Sequence, residues 1–237
     1  MTSKQVAIIT GAGKGIGKAI AIGLSKLGYQ TVLIGRNKTD LEKVSTEIKT
    51  VSELAPLVFS FDITDSEAIR RTVQNVADKF GQIDILVNNA GIYFDGSAEL
   101  SEENFRKMLD INLTAQFIFL QEIVPIMKKQ KSGYIFNVAS RAGKIGFAGS
   151  GGYNASKFGL VGLNESLYRE LVPYGIRVTA LCPGWVNTKM ANEAGTKLSP
   201  EQMIQPEDIY QTIQWLLHLS PGTCVKEVVL ETPKSIS

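Results

Sequence analysis

The sequence predicts an α/β fold: a single doubly wound domain over residues 1–237, with a seven-stranded, mostly parallel sheet and helices on both faces. Three observations carry that prediction. Short β-type runs alternate with amphipathic helical segments almost from end to end. Runs such as "VAIIT" and "TVLIG" are continuously apolar instead of alternating, as strands covered on both faces must be. The first run passes through a glycine-rich turn directly into a helical pattern.

The runs, in order, are "QVAIIT", "QTVLIG", "LVFSFD", "DILVNN", "GYIFNV", "RVTALC" and "KEVVLE". Right-handed connections between them place helices on alternate faces. After the first, Ile16, Ala19, Ile20, Gly23, Leu24 and Leu27 recur at helical spacing, and "LG" at Leu27 and Gly28 closes that helix. The longest apolar stretch, Ile111 to Met127, is interrupted by Asn112, Gln116, Gln121, Glu122 and Pro125. It therefore predicts a helix packed on its own sheet and against another subunit, not a membrane span. No linker, repeat or low-complexity run marks a second domain.

Composition narrows the function classes. The net charge is +2 with 20% charged residues and no block of one sign, which excludes a nucleic-acid footprint or a membrane-surface patch and leaves a small-molecule partner. Cys182 and Cys224 fit no metal or redox spacing and read as reduced thiols of an intracellular protein. The N-terminus runs straight into a strand pattern, so a cytoplasmic location is expected. His218 is the only histidine and lies in a late helical pattern, where packing or exposure accounts for it, and no metal site is expected.

Two patterns carry chemistry. The first strand ends in "TGAGKGIG", Thr10 to Gly17, where glycines permit a tight turn and the helix start offers free amides to a pyrophosphate. The spacing of Gly11, Gly15 and Gly17 departs from the strict Rossmann fingerprint, but strand before and helix after favour a dinucleotide. About twenty residues on, where an acid would hold an unphosphorylated ribose, stands Arg36, and Lys14 adds a second cation; both point to NADP(H). The second pattern is "YNASK", in which Tyr153 and Lys157, four apart, share one helix face.

Together with "NNAG" (Asn88 to Gly91), Asn112, Ser140 in "NVASRAG" and "PGWVNT" (Pro183 to Thr188), these motifs resemble the short-chain dehydrogenase/reductase family over nearly the whole chain. The resemblance implies a catalytic set of Asn112, Ser140, Tyr153 and Lys157. It implies a cofactor site of Gly11, Lys14, Gly15, Ile16, Gly17 and Arg36, with Asp62 and Ile63 at the adenine. Asn89, Ala90 and Gly91 would line the cofactor, Lys157 would touch the nicotinamide ribose beside Tyr153, and Pro183, Gly184, Val186 and Thr188 would meet the nicotinamide end. It also implies a homo-oligomer, a dimer or tetramer, built on the segments Leu113 to Met127 and Tyr153 to Val172.

Reducing a ketone needs a proton on oxygen as well as a hydride on carbon, and Tyr153 is the candidate acid. Lys157, ~4 Å away, is expected to draw the phenol pKa from ~10 down toward neutrality, by up to roughly three units at an effective dielectric of ~20. Residues 187–206 are expected to form a short substrate loop over an open pocket walled by Tyr93, Phe94, Phe147, Trp185 and Met190. Arg141 and Lys144 are candidates to attract a substrate carboxylate. The expected activity is NADPH-dependent carbonyl reduction; the alternatives are a 3-oxoacyl-carrier-protein reductase, weakened by the ending "KEVVLETPKSIS", and a non-catalytic NADP-binding redox sensor.

Overall fold

The computed structural model describes residues 4–235. Each of the seven apolar runs forms one strand: β1 Val6–Thr10, β2 Gln30–Gly35, β3 Leu57–Ser60, β4 Ile85–Asn88, β5 Gly133–Val138, β6 Ile176–Pro183 and β7 Glu227–Leu230. Their order is β3-β2-β1-β4-β5-β6-β7, and every pair is parallel, so the sheet is fully parallel where the sequence predicts a mostly parallel one.

The continuous apolar character of β1 has a direct cause. Val6 and Ile8 face the layer formed by α3 (Ser66–Phe80), α5 (Ala115–Gln130) and α6 (Gly151–Leu171), while Ala7 and Ile9 face α1 (Gly15–Lys26), α2 (Lys38–Lys49) and α8 (Pro206–Leu217). Both faces are dry, and burying one such isoleucine is worth about 1.5–3 kcal/mol. Helix ends follow local chemistry. Asn37 caps α2 through the Asp40 amide, Asp65 caps α3 through the Ala68 amide, and α3 stops at Gly81 with φ +74°. Helix α1 ends at Leu27 with Gly28 following at φ +88°, as its sequence predicts.

The long apolar segment is not a uniform helix. It begins within a π-helical turn, Asp110–Thr114, that joins α4 (Glu102–Leu109) to α5. The wider turn carries Asn112 into the interior, a common use of such turns at functional sites. On α5, Ile118, Phe119, Leu120 and Ile123 are buried against the sheet, whereas Phe117 remains 43% exposed.

The order of strands reverses between β1 and β4, and the loops that follow those two strands open a crevice at their carboxyl ends. The segment expected to be a substrate loop is folded as well: α7 (Lys189–Glu193) is capped by Thr188, a short 3-10 turn spans Pro200–Gln202, and Val186 pairs with Ile204.

Candidate active site

The crevice is a cleft of about 1410 Å³ running from Arg36 and Asn37 to Trp185 and Met190. At one end lies the glycine turn. Gly11 and Gly15 take φ +64° and +52°, a region that favours glycine. A Cβ on Gly11 would sit 2.8 Å from Asn89 Nδ2, and one on Gly15 3.1 Å from Thr188 Cγ2, so side chains there would fill the cradle. Helix α1 starts after Lys14 with no side chain capping it, which leaves its first amides and the positive end of its dipole for an anion.

Gly17 differs from its expected place. It is buried, does not line the cleft, and a Cβ on it would lie 2.3 Å from Gly11 O, so it serves the turn from behind. Thr10, which the motif reading passed over, holds the turn to β4: its hydroxyl accepts the Asn89 and Ala90 amides at 2.9 and 3.0 Å. Asn89 Nδ2 donates back to Thr10 O at 2.8 Å. Lys14 and Arg36 are exposed at the cleft rim. Arg36 Nη1 lies 3.9 Å from Asp62 Oδ2. Burial opposes ionisation of Asp62, but the Thr64 amide and hydroxyl and the Arg36 charge outweigh it, and its pKa is lowered. Ile16, Ile63, Ala90, Gly91, Pro183, Gly184, Val186 and Thr188 all face the same cleft. A free helix start, a cradle open only to glycine and two rim cations fit NADP(H), with the cations suited to a 2′-phosphate.

At the other end, α6 brings Tyr153 and Lys157 to the cleft beside Ser140, which follows β5. Ser140 Oγ accepts the Ala142 amide at 3.1 Å and donates to Pro183 O at 3.5 Å. Lys157 Nζ donates to Val138 O at 3.0 Å and stands 5.7 Å from the centroid of the Tyr153 ring. Asn112 is fully buried and does not line the cleft; its Oδ1 accepts the Ile92 amide at 2.8 Å and its Nδ2 donates to Ile92 O and Ser156 Oγ. It shapes the backbone on which Gly91 approaches Lys157.

The expected pKa of Tyr153 is overturned. Burial pushes the phenol up to about 12, against the pull of the Ser140 hydroxyl and with a further rise from Tyr93. Burial also pushes Lys157 down to about 8. The ammonium is bonded to a carbonyl and lies over the ring, and in so dry a setting removing each charged form from water outweighs their attraction. Tyr153 therefore keeps its proton at neutral pH.

A chain of buried amides fixes α6 on the sheet. Asn88 Nδ2 donates to Asn137 Oδ1, Asn137 Nδ2 to Asn164 Oδ1, and Asn164 Nδ2 to Lys226 O, at 3.0, 3.0 and 3.1 Å. Asn164 lies two turns beyond Lys157. Asn154, inside "YNASK", ties the loop after Ser140 to the same helix by donating to Ala142 O and Ile145 O, both at 2.8 Å. Asn164 was missed, and Asn88, Asn137 and Asn154, though inside quoted motifs, were given no such role; the available signal was asparagine on otherwise apolar faces.

The substrate side needs two corrections. Tyr93, Phe147, Trp185 and Met190 line the cleft but Phe94 does not. Tyr93 packs edge-on against Tyr153 at 5.3 Å, its hydroxyl donating to Asp95 and lying 3.2 Å from Ser150 Oγ. Arg141 and Lys144 are not free to draw a carboxylate: Arg141 pairs with Glu231, donates to Ser235 O and stacks on Phe147, and Lys144 pairs with Glu227. Cys182 is buried, and burial raises its thiol pKa to about 11; Cys224 is also free, and exposed His218 caps the end of α8.

Residues 5–199 match the family described as short chain dehydrogenase. The chain is 34% identical to sepiapterin reductase of Chlorobaculum tepidum, covering 98% of this chain and 97% of the relative. It is similar to the crystal structure of a betaketoacyl-[ACP] reductase from Bacteroides thetaiotaomicron, at 50% identity and a TM-score of 0.88, with 98% of this chain and 99% of the other covered. A metagenomic short-chain oxidoreductase in complex with NADP aligns at 31% identity and a TM-score of 0.84 over 98% and 99% of the two chains.

Proposed function

The chain belongs to the short-chain dehydrogenase family, and from that premise we propose that it reduces a ketone or aldehyde to an alcohol with NADPH. The observation that carries this reading is that Ser140, Tyr153 and Lys157 meet on the cleft that also holds the glycine turn and Arg36. NADPH, when bound, supplies the hydride. The protein's own groups bind, orient and protonate. The backbone from Gly11 to Ile16 cradles the pyrophosphate, Lys14 and Arg36 hold the 2′-phosphate, and Asp62 and Ile63 take the adenine. Asn89, Ala90 and Gly91 line the middle of the cofactor, Pro183, Gly184, Val186 and Thr188 take its nicotinamide end, and Lys157 touches the ribose.

Ser140 Oγ hydrogen-bonds the carbonyl oxygen and stabilises the charge that grows there. Tyr153 Oη gives up its proton to that oxygen. A phenol of pKa about 12 transfers downhill to an alkoxide, a far stronger base about equal to hydroxide. Lys157, at about 8 still mostly a cation at pH 7, stabilises the phenolate left behind. Asn112 keeps the Gly91–Ile92 backbone in place and is a positioning residue.

The test is NADPH oxidation against a ketone panel, with Tyr153→Phe alongside. The variant is expected to lose about 10³-fold in kcat while keeping its NADPH affinity. Equal turnover by the two proteins would defeat the mechanism.

A second reading, 3-oxoacyl-carrier-protein reductase, is favoured by the 50% identity to the Bacteroides enzyme, which outweighs the unusual C-terminal ending. It shares every step above and differs only in the tail of the substrate; an acyl-chain assay separates it. The chain acts as one domain and assembles as a homo-oligomer: Phe117 on α5 and Phe158 on α6 are 43% and 45% exposed, and pairing these helices between copies would cover them. Among the described residues no helix is long and apolar enough to cross a membrane. Two free thiols accord with a cytoplasmic setting.

A further inference from the structure

A second, smaller cavity of about 360 Å³ opens beside the substrate end of the cleft. Arg141 and Trp185 belong to the walls of both, so the two spaces adjoin. The remaining wall is Gly195 to Leu198 from the folded segment after α7, and Lys234 and Ser235 from the C-terminal segment. Among the described residues no carboxylate lines it. Arg141 is already neutralised by Glu231 at 3.3 Å and anchored to Ser235 O, so it forms a fixed floor. Lys197 and Lys234 differ: among the described residues neither lies within ion-pair distance of an acid, whereas the neighbouring Lys189 and Lys144 are both paired. Two cations from two separate segments, unpaired among the described residues, thus line one small space that shares two wall residues with the substrate end of the cleft.

We infer that this cavity is a subsite for an oxyanion carried at the far end of the carbonyl substrate, with Lys197 and Lys234 as its specificity-determining residues. The inference rests on the carbonyl-reductase reading and names its substrate class: a ketone bearing a carboxylate or a phosphate away from the carbonyl. Hydride and proton go to the carbonyl, so the tail is chemically unchanged. Contacts to it act equally in ground and transition states and lower KM without raising kcat. Both lysines are exposed, so the attraction is screened by salt.

The experiment uses the full chain with NADPH and matched ketone pairs. One arm compares monoethyl with diethyl esters of 3-oxo diacids from 3-oxoadipate to 3-oxosebacate; the other compares acetoacetyl pantetheine with its 4′-phosphate. In at least one pair the charged member is expected to show a KM lower by about tenfold at low salt with kcat unchanged, the scale of one or two screened ion pairs. Lys197→Glu together with Lys234→Glu should abolish that preference and leave turnover of the diethyl esters intact. A response in the first arm alone assigns the site to carboxylates, and in the second alone to phosphates. A charged-to-neutral ratio that is the same in parent and double variant, or a preference for the neutral member throughout, overturns the inference. If the parent reduces none of these ketones, the carbonyl-reductase reading fails on its own. The subsite is then read from calorimetric titration of monoethyl and diethyl 3-hydroxyadipate into the NADP-loaded chain, where tighter binding of the monoester, lost in the double variant, upholds it and equal affinities overturn it.

Discussion

The two ends of the cleft are built on opposite principles. At the nucleotide end, shape is held by backbone packed so closely that even a methyl group is excluded, and by buried hydrogen bonds from Thr10 and Asn89. At the substrate end the walls are side chains on connecting segments, tied by partly buried ion pairs such as Arg141–Glu231 and Lys144–Glu227. Open space occurs there beside tight packing: a Cβ on Gly146 or Gly195 would meet nothing within 4 Å, whereas one on Gly143 would lie 2.7 Å from Lys157 O. A ligand common to many enzymes can be met by a rigid mould, whereas a changing substrate calls for surfaces that tolerate substitution.

The largest expected effect on stability breaks the mould. Gly17→Ala forces a Cβ onto Gly11 O, and should cost about 3 kcal/mol of stability and weaken NADPH binding about 100-fold, measured by urea unfolding and by NADPH fluorescence. Next, Arg36→Asp replaces an attraction for the 2′-phosphate by repulsion and should lower kcat/KM with NADPH by about 30-fold, on the order of one charge-assisted contact, while NADH changes little. An unchanged preference would place the phosphate elsewhere.

Lys157→Met probes the junction of the two ends. Folding lowers the lysine pKa from 10.5 to about 8, so the folded state binds fewer protons than the unfolded one between those values. The penalty is therefore full below pH 8 and fades as pH rises to 10.5. It amounts to about 3 kcal/mol, less about 1 for the hydrogen bond to Val138 O. The variant should be inactive yet more stable than the parent by about 2 kcal/mol at pH 7, and the gain should be gone before pH 10.5, where the lost hydrogen bond outweighs the remaining penalty. The smallest effect completes the contrast: Gly146→Ala, in open space on the substrate side, should change stability by less than about 0.5 kcal/mol.

This contrast also explains what could be read in advance. Strands β1 and β2 are legible because being buried on two faces writes itself as an unbroken apolar run, and Gly11 and Gly15 because a turn of that shape admits little else. Tyr153 and Lys157 are legible because helical spacing places them together. Their proton affinities were not, since burial outweighs the charge pair and burial depends on distant segments. Gly17 shows a motif residue whose task is packing, not contact. Arg141 and Phe94 were misjudged for a related reason: Glu231, ninety residues from Arg141, takes up its charge, and loop direction, which no periodicity records, keeps Phe94 out of the cleft.

The asparagine chain from Asn88 to the Lys226 carbonyl has a consequence for how the protein is made. A growing polypeptide that ends before Lys226 already contains the nucleotide crevice, the phenol and the amine, yet the last acceptor for the helix that carries them has not been synthesised. The ties from Asn137, Asn154 and Lys157 can form before that point, so the segment leading into the final strand adds the last of several fastenings to a helix already seated on its neighbours.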